Sequence, residues 1–272
     1  MSTILEYDQA TVPLGGGWVV GDFIYDGEIL TGFSPQGKAK LQDGNTELYL
    51  PKKGNTGQIV TKIKEHAFYT KRLTAIKGDW GNIISIGDYA FALNLLTSIP
   101  RIWEKIKYIG RGAFSNNRLN TLPDSWENVT SLGGYAFFNN HLDYIPNTWG
   151  NITNIKKRAF SNNQIVKLPD SWGEITSIGK YAFSNNLLTS IPDNWRMVTN
   201  IKKCAFWNNK LTTLPDSWGN VANVGRYAFY DNCFPEKRLV ELACAWVKFR
   251  SPGLDKTGLT STKHTKLGEE TV

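Results

Sequence analysis

The sequence predicts an α/β solenoid, and three columns of residues predict it. Phe68, Phe91, Phe114, Phe137, Phe160, Phe183, Phe206 and Phe229 stand 23 residues apart, each preceded by alanine. Trp80, Trp103, Trp126, Trp149, Trp172, Trp195 and Trp218 keep the same interval, as do Asn94, Asn117, Asn140, Asn163, Asn186, Asn209 and Asn232. A fixed period of this size marks a stack of like units, none of which can bury its apolar face alone. About eight rungs are expected, built of short strands and helical or 3-10 turns. Such a stack makes a surface, rather than a pocket, the expected functional object.

The chain divides into an amino-terminal cap (1–58), the array (59–234), a carboxy-terminal capping helix (235–250) and a flexible tail (251–272). Stacks expose apolar faces at both ends and need covering. At the front, Phe23-Ile24-Tyr25 and Ile29-Leu30 flank Asp26-Gly27, a strong hairpin signal. Ser34-Pro35 then opens a short helix running to Leu41. The first rung is atypical, with Lys71 in the asparagine column and Lys77 where later rungs have proline. At the back, Leu239, Leu242, Ala243, Trp246 and Val247 gather on one helical face of PEKRLVELACAWVKFR. From Ser251 the chain turns to Gly, Thr, Ser and Lys, which reads as flexible.

Within a rung, two placements of the strand compete. In the first, Ile178-x-x-Tyr181-x-Phe183-x-x-Asn186-x-Leu188 is an LxxLxLxxNxL strand segment with Tyr181 and Phe183 inward. The slot of Tyr181 also holds His66, Gly112, Arg158 and Cys204, which is poor material for a buried column, while the next slot is always alanine. In the second, Ile178, Ala182, Phe183 and Asn186 lie at the spacing of a helical turn, and the strand falls in Leu188-Thr189-Ser190-Ile191-Pro192. The second is preferred. In both, the asparagine amide satisfies main-chain groups at a tight inter-rung turn. The tryptophan column is read as core, because it follows proline and precedes Ile or Val in strict register.

IGxYAFxNNxLTxIPxxW, repeated, resembles the BspA-like family of leucine-rich repeats, and residues 23 to 53 resemble that family's leader into its first strand, here Leu48-Tyr49-Leu50-Pro51. The resemblance covers residues 23 to about 234 and implies a leucine-rich repeat solenoid used in adhesion and recognition. It also implies a secreted or cell-surface setting, although the opening stretch MSTILEYDQATVPLGGGWVV carries no signal peptide pattern.

Composition narrows the function. With 41% hydrophobic and 20% charged residues the chain is expected to fold, and no run approaches the ~20 apolar residues of a membrane span. Three cysteines, Cys204, Cys233 and Cys244, suit free thiols; Cys233 and Cys244 would meet only if the segment between them folds back in an oxidising compartment. His66, His141 and His264 lack partners at metal-ligand spacing, and Gly110-Arg111-Gly112 and Gly15-Gly16-Gly17 lack the frame of a nucleotide fingerprint. No nucleophile, base or oxyanion donor is singled out, so neither catalysis nor a cofactor is expected.

The variable slots carry the functional expectation. The slot two before alanine runs Glu65, Asp88, Arg111, Gly134, Lys157, Lys180, Lys203 and Arg226, so stacking makes a stripe that turns basic along the array. Arg111, Lys157, Lys180, Lys203 and Arg226 are candidate binding residues, either as a solvated edge or as an attractor of nucleic acid, glycosaminoglycan or an acidic protein. No aromatic interleaving of the kind single-strand binders use is evident along that line. Tyr69, Phe138, Trp207 and Tyr230, just after the phenylalanine column, are candidate contacts because their identity varies while the frame does not. The expected function is non-enzymatic protein–protein recognition, with polyanion binding through the basic stripe as the alternative and the oligomeric state open.

Overall fold

The computed structural model describes residues 9–235 apart from 79, 102, 149–151, 173 and 217. The expected carboxy-terminal helix, the tail, and Cys244 as a partner for Cys233 therefore lie outside the described residues. The front of the chain forms β1 (Pro13–Gly15), β2 (Trp18–Val19), β3 (Phe23–Asp26), β4 (Ile29–Phe33), α1 (Pro35–Gln42) and β5 (Glu47–Leu50). Then follow β6 (Lys62–Ile63), β7 (Ala75–Gly78), β8 (Ser85–Ile86), β9 (Tyr108–Ile109), β10 (Ser131–Leu132), β11 (Asn154–Ile155), β12 (Ser177–Ile178), β13 (Asn200–Ile201) and β14 (Asn223–Val224). Strands dominate, and α1 is the one α-helix among the described residues.

The front forms as its residues dictate. β3 and β4 pair antiparallel with Asp26 opposite Ile29, and Gly27 takes φ +57° at the turn, where a side chain is disfavoured. Ser34 caps α1: its Oγ accepts from the Gly37 N–H at 3.3 Å, and Pro35 sits in the first turn. β4 then pairs parallel with β6, Leu30 against Ile63, and the Phe33 ring meets Phe68 edge-on at 4.9 Å. The hairpin thus lies directly on the first rung.

The paired strand of each rung is the two-residue segment before the turn, in register from Ile63 through Ile86, Ile109 and Leu132, and again from Ile155 through Ile178, Ile201 and Val224. This corrects the preferred placement of the strand in Leu188–Pro192. That segment points its leucine inward, and its rungs share two bonds without a continuous ladder, as Lys210 N–H to the Leu188 carbonyl at 2.9 Å and Thr212 N–H to that of Thr189 at 3.2 Å. Strands form in that register only at the front, where β5 pairs with β7. Proline is the reason: Pro100, Pro192 and their equivalents have no N–H to continue the ladder, and Gly78 stands after Lys77 where no proline interrupts β7.

The other half of the preferred placement holds. Ala182 and Phe183 are fully buried inside a turn whose N–H groups bond three residues back, Ala182 to Gly179 at 3.1 Å and Ser184 to Tyr181 at 3.2 Å. The turn does not become a helix because Tyr181 takes φ +58° and Asn185 φ +56°. Tyr181 is accordingly half-buried and not inward, against the first placement. Bonds run onward between turns, Phe160 N–H to the Ala182 carbonyl at 3.0 Å and Phe183 N–H to Ala205 at 2.8 Å. Tyr135 N–H to the Lys157 carbonyl at 2.8 Å joins the rungs of β10 and β11 in the same way.

The core is the expected set of columns, except that Trp149 lies outside the described residues. The rings of Phe114 and Phe137 stack with centroids 5.6 Å apart and planes 1° from parallel, and Trp80 and Trp103 stack at 5.6 Å. Each such pair contributes about 0.5–1.5 kcal/mol beyond its burial. Each asparagine bolts neighbouring rungs together. Asn186 Nδ2 donates to the Phe160 carbonyl at 2.9 Å and to that of Phe183 at 3.1 Å, while its Oδ1 accepts from the Ile165 N–H at 3.1 Å.

Candidate recognition surface

Three adjacent slots of the turn make the candidate surface, and the backbone sets them apart. The slot before alanine is left-handed in every rung: His66, Tyr89, Gly112, Tyr135, Arg158, Tyr181, Cys204 and Tyr227 have φ between +53° and +62°. A left-handed non-glycine residue costs about 1–2 kcal/mol, and the inter-rung bond its N–H makes, such as Tyr89 to the Arg111 carbonyl at 2.8 Å, offsets part of that. In that conformation His66 is exposed and the tyrosines and Arg158 are half-buried, a column beside the basic stripe, while Gly112 and Cys204 are buried.

Arg111, Lys157, Lys180, Lys203 and Arg226 are all exposed. Aromatic rings do interleave with them, which corrects the sequence reading. The Arg111 guanidinium lies 5.8 Å from the Tyr89 ring centroid and 5.4 Å from that of Tyr135. Lys157 Nζ lies 5.5 Å from Tyr135, and Arg226 4.6 Å from Tyr227. Arg158 sits between two rings, 5.8 Å from Tyr135 and 4.9 Å from Tyr181. Lys180 and Lys203 make no such contact among the described residues.

The residues after the phenylalanine column join the same band less openly than expected. Tyr69, Phe138 and Trp207 are half-buried and Tyr230 is exposed. Each meets the left-handed column edge-on: Tyr69 with His66 at 5.4 Å, Phe138 with Tyr135 at 5.7 Å, Trp207 with Tyr181 at 6.3 Å and Tyr230 with Tyr227 at 5.6 Å. Phe138 also takes the Arg158 guanidinium at 5.8 Å. The Cys204 thiol next to Tyr181 pushes its phenol above the ordinary range, by hydrogen bonding and then by charge, and burial adds to this while Arg158 opposes it.

Tyr89, Tyr135, Tyr181 and Tyr227 were not singled out by the single-rung reading. The signal was there at twice the period: the four tyrosines stand in alternate rungs, with Gly112, Arg158 and Cys204 between them. The alternation has a steric reason. A Cβ on Gly112 would come within 2.5 Å of the Tyr89 ring, so a small or stacking residue suits the rung after a tyrosine.

Between this band and the strands lie two open depressions. One, of about 240 Å³, is lined by Asn154, Ser177 and four lysines, Lys156, Lys157, Lys180 and Lys202, with Ile155 and Gly179. The other, nearer the front and of about 500 Å³, has Asp88 in its lining, whose carboxylate accepts from the Arg111 N–H at 2.7 Å. Among the described residues no three His, Cys, Asp or Glu side chains gather as a metal site would require, and no helix is long and apolar enough to cross a membrane. Cys204 is buried and Cys233 exposed, both as free thiols.

The stacked strands, asparagine bolts and buried aromatic columns define a leucine-rich repeat solenoid. The chain belongs to the BspA type leucine rich repeat region family, whose model matches in six copies over residues 52–167 and 126–235. No curated protein matches the sequence. Among solved structures, a leucine-rich repeat protein from Bacteroides ovatus is similar at 20% identity and TM-score 0.51, over 80% of this chain and 57% of that one. One from Eubacterium ventriosum is similar at 21% identity and TM-score 0.47, over 75% and 63%. A leucine rich cell surface protein from Faecalibacterium prausnitzii matches at 21% identity and TM-score 0.44, over 78% and 50%. The chain thus spans 50–63% of the length of these proteins, and the likeness to the first shows the fold alone.

Proposed function

We propose that this protein is a non-enzymatic recognition protein that binds a partner protein along the edge carrying the cation–tyrosine band. One observation carries this reading. The slots that are identical from rung to rung are buried, while the exposed slot from Arg111 to Arg226 and the mostly half-buried slot from Tyr89 to Tyr227 change chemistry along a fixed frame. A rigid frame presenting variable, cation- and aromatic-rich positions is the composition of an interaction edge. Membership of the family supports a setting in adhesion or host contact at a cell surface, which belongs to this proposal.

The test is a capture by the intact protein, followed by titration of the purified partner against wild type and against an Arg111→Glu/Tyr135→Ala/Arg226→Glu variant. Saturable binding to wild type, weakened about tenfold or more in a variant of unchanged melting temperature, is expected. A protein with no saturable affinity for any protein sinks the reading, and a partner indifferent to the variant removes the edge.

A further inference from the structure

We infer that the lysine-lined depression between β11 and β13 is the docking site for an extended acidic segment of the partner, with carboxylates at alternate positions. This rests on the protein-binding reading and adds the chemistry of what is bound. Lys156, Lys157, Lys180 and Lys202 surround the depression, with Asn154 and Ser177 between them and no carboxylate in the lining. Lys203, next to Lys202 on the same rung, adds to the charge. None of these lysines forms an ion pair among the described residues; Lys40, Lys62, Lys77 and Lys167, which do, lie elsewhere. None of these five ammonium groups therefore has an internal carboxylate, Lys157 facing only the Tyr135 ring, and an anion from outside relieves their mutual repulsion.

Geometry favours a peptide. Stacked rings of successive rungs in this region lie 5.5–5.7 Å apart. An extended chain places side chains of one face about 6.6 Å apart, a difference that lysine stems absorb. The hydroxyl of Ser177 and the amide of Asn154 stand among the lysines and suit a peptide main chain, which offers a donor and an acceptor at each residue. Single-stranded nucleic acid would need open ring faces for its bases. Here the protein's own cations occupy them, Arg158 over Tyr135 and Tyr181 and Lys157 over Tyr135. The site is also polar along the array, because the same slots hold Glu65 and Asp88 at the front, so the acidic segment docks on the carboxy-terminal rungs alone.

A labelled synthetic peptide alternating glutamate and serine, titrated by fluorescence anisotropy at low and at physiological salt, tests this. Saturable binding is expected, falling with salt and absent for the same peptide with glutamine in place of glutamate. The Lys156→Glu/Lys180→Glu/Lys202→Glu variant is expected to lose affinity about tenfold or more, and Lys210→Glu, outside the depression, to change it less than about twofold. Should the triple reversal unfold the chain, Lys→Gln at the same positions carries the comparison. Equal binding by wild type and triple variant overturns the site. So does tight binding of polyuridylate or heparin with none of the glutamate peptide, which assigns the depression to another polyanion. A partner protein captured equally by wild type and triple variant overturns the acidic docking site while leaving protein recognition intact.

Discussion

Asn140 donates its side-chain amide to the Phe114 carbonyl one rung back, at 2.9 Å, with both residues buried. The same amide reaches the Phe137 carbonyl at 3.3 Å, and its oxygen takes the Leu119 N–H at 3.0 Å. One side chain thus satisfies main-chain groups on three segments that have no ladder partner there. Asn140→Ala leaves them buried and unpaired, and a loss of about 3 kcal/mol is expected in urea unfolding. A loss below about 1 kcal/mol would mean that water replaces the amide.

Phe137 tests the continuity of the stack. Its ring sits between Phe114 and Phe160, at 5.6 and 5.7 Å. Phe137→Ala opens a cavity in the middle of the array, at an expected cost of about 4 kcal/mol. Because each rung is supported only by its neighbours, calorimetry is expected to resolve two transitions where the wild type shows one.

The packing of Tyr89 over Gly112 predicts coupling between neighbouring rungs. Gly112→Ala adds a side chain at φ +59° and crowds the Tyr89 ring; it should cost about 1–2 kcal/mol. Tyr89→Ala in the same chain removes the crowding, so a double-mutant cycle is expected to show a coupling above about 0.5 kcal/mol. Additive costs would show that backbone strain alone is responsible.

Tyr25 predicts a loss of stability in alkali. Its phenol donates to the Val20 carbonyl at 3.0 Å, and burial first, with the charge of Asp22 second, holds its pKa well above the ordinary tyrosine range. The folded state keeps this proton more tightly than the unfolded chain. The contribution is therefore fully present below about pH 10, the unfolded value, and is lost as pH rises beyond it. Denaturant titrations from pH 9 to 11 should show a steeper fall for wild type than for Tyr25→Phe; parallel curves would exclude Tyr25 as the cause.

How legible this was in the sequence differed by residue. The aromatic and asparagine columns were read correctly because burial and amide bonding follow from invariance in a stack, and the front hairpin and α1 were read from Asp26-Gly27 and Ser34-Pro35, whose turn and cap chemistry is local. The strand was misplaced because Leu188-Thr189-Ser190-Ile191 has strand-like residues, while the missing N–H of Pro192 weighs only when the ladder is counted rung against rung. The interleaved tyrosines were missed because the single-rung comparison treated Tyr181, Arg158 and Cys204 as unrelated fillers of one slot.

The period, the core and the charge of the stripe follow from the residues alone, since each depends only on which residues recur and at what spacing. The stacked structure alone sets the slot before alanine in the left-handed region, with its tyrosines half-buried, and lays Arg111, Lys157 and Arg158 over tyrosines a rung away. A dihedral angle is set by how a turn must close, and a contact between neighbouring rungs exists only once they stack.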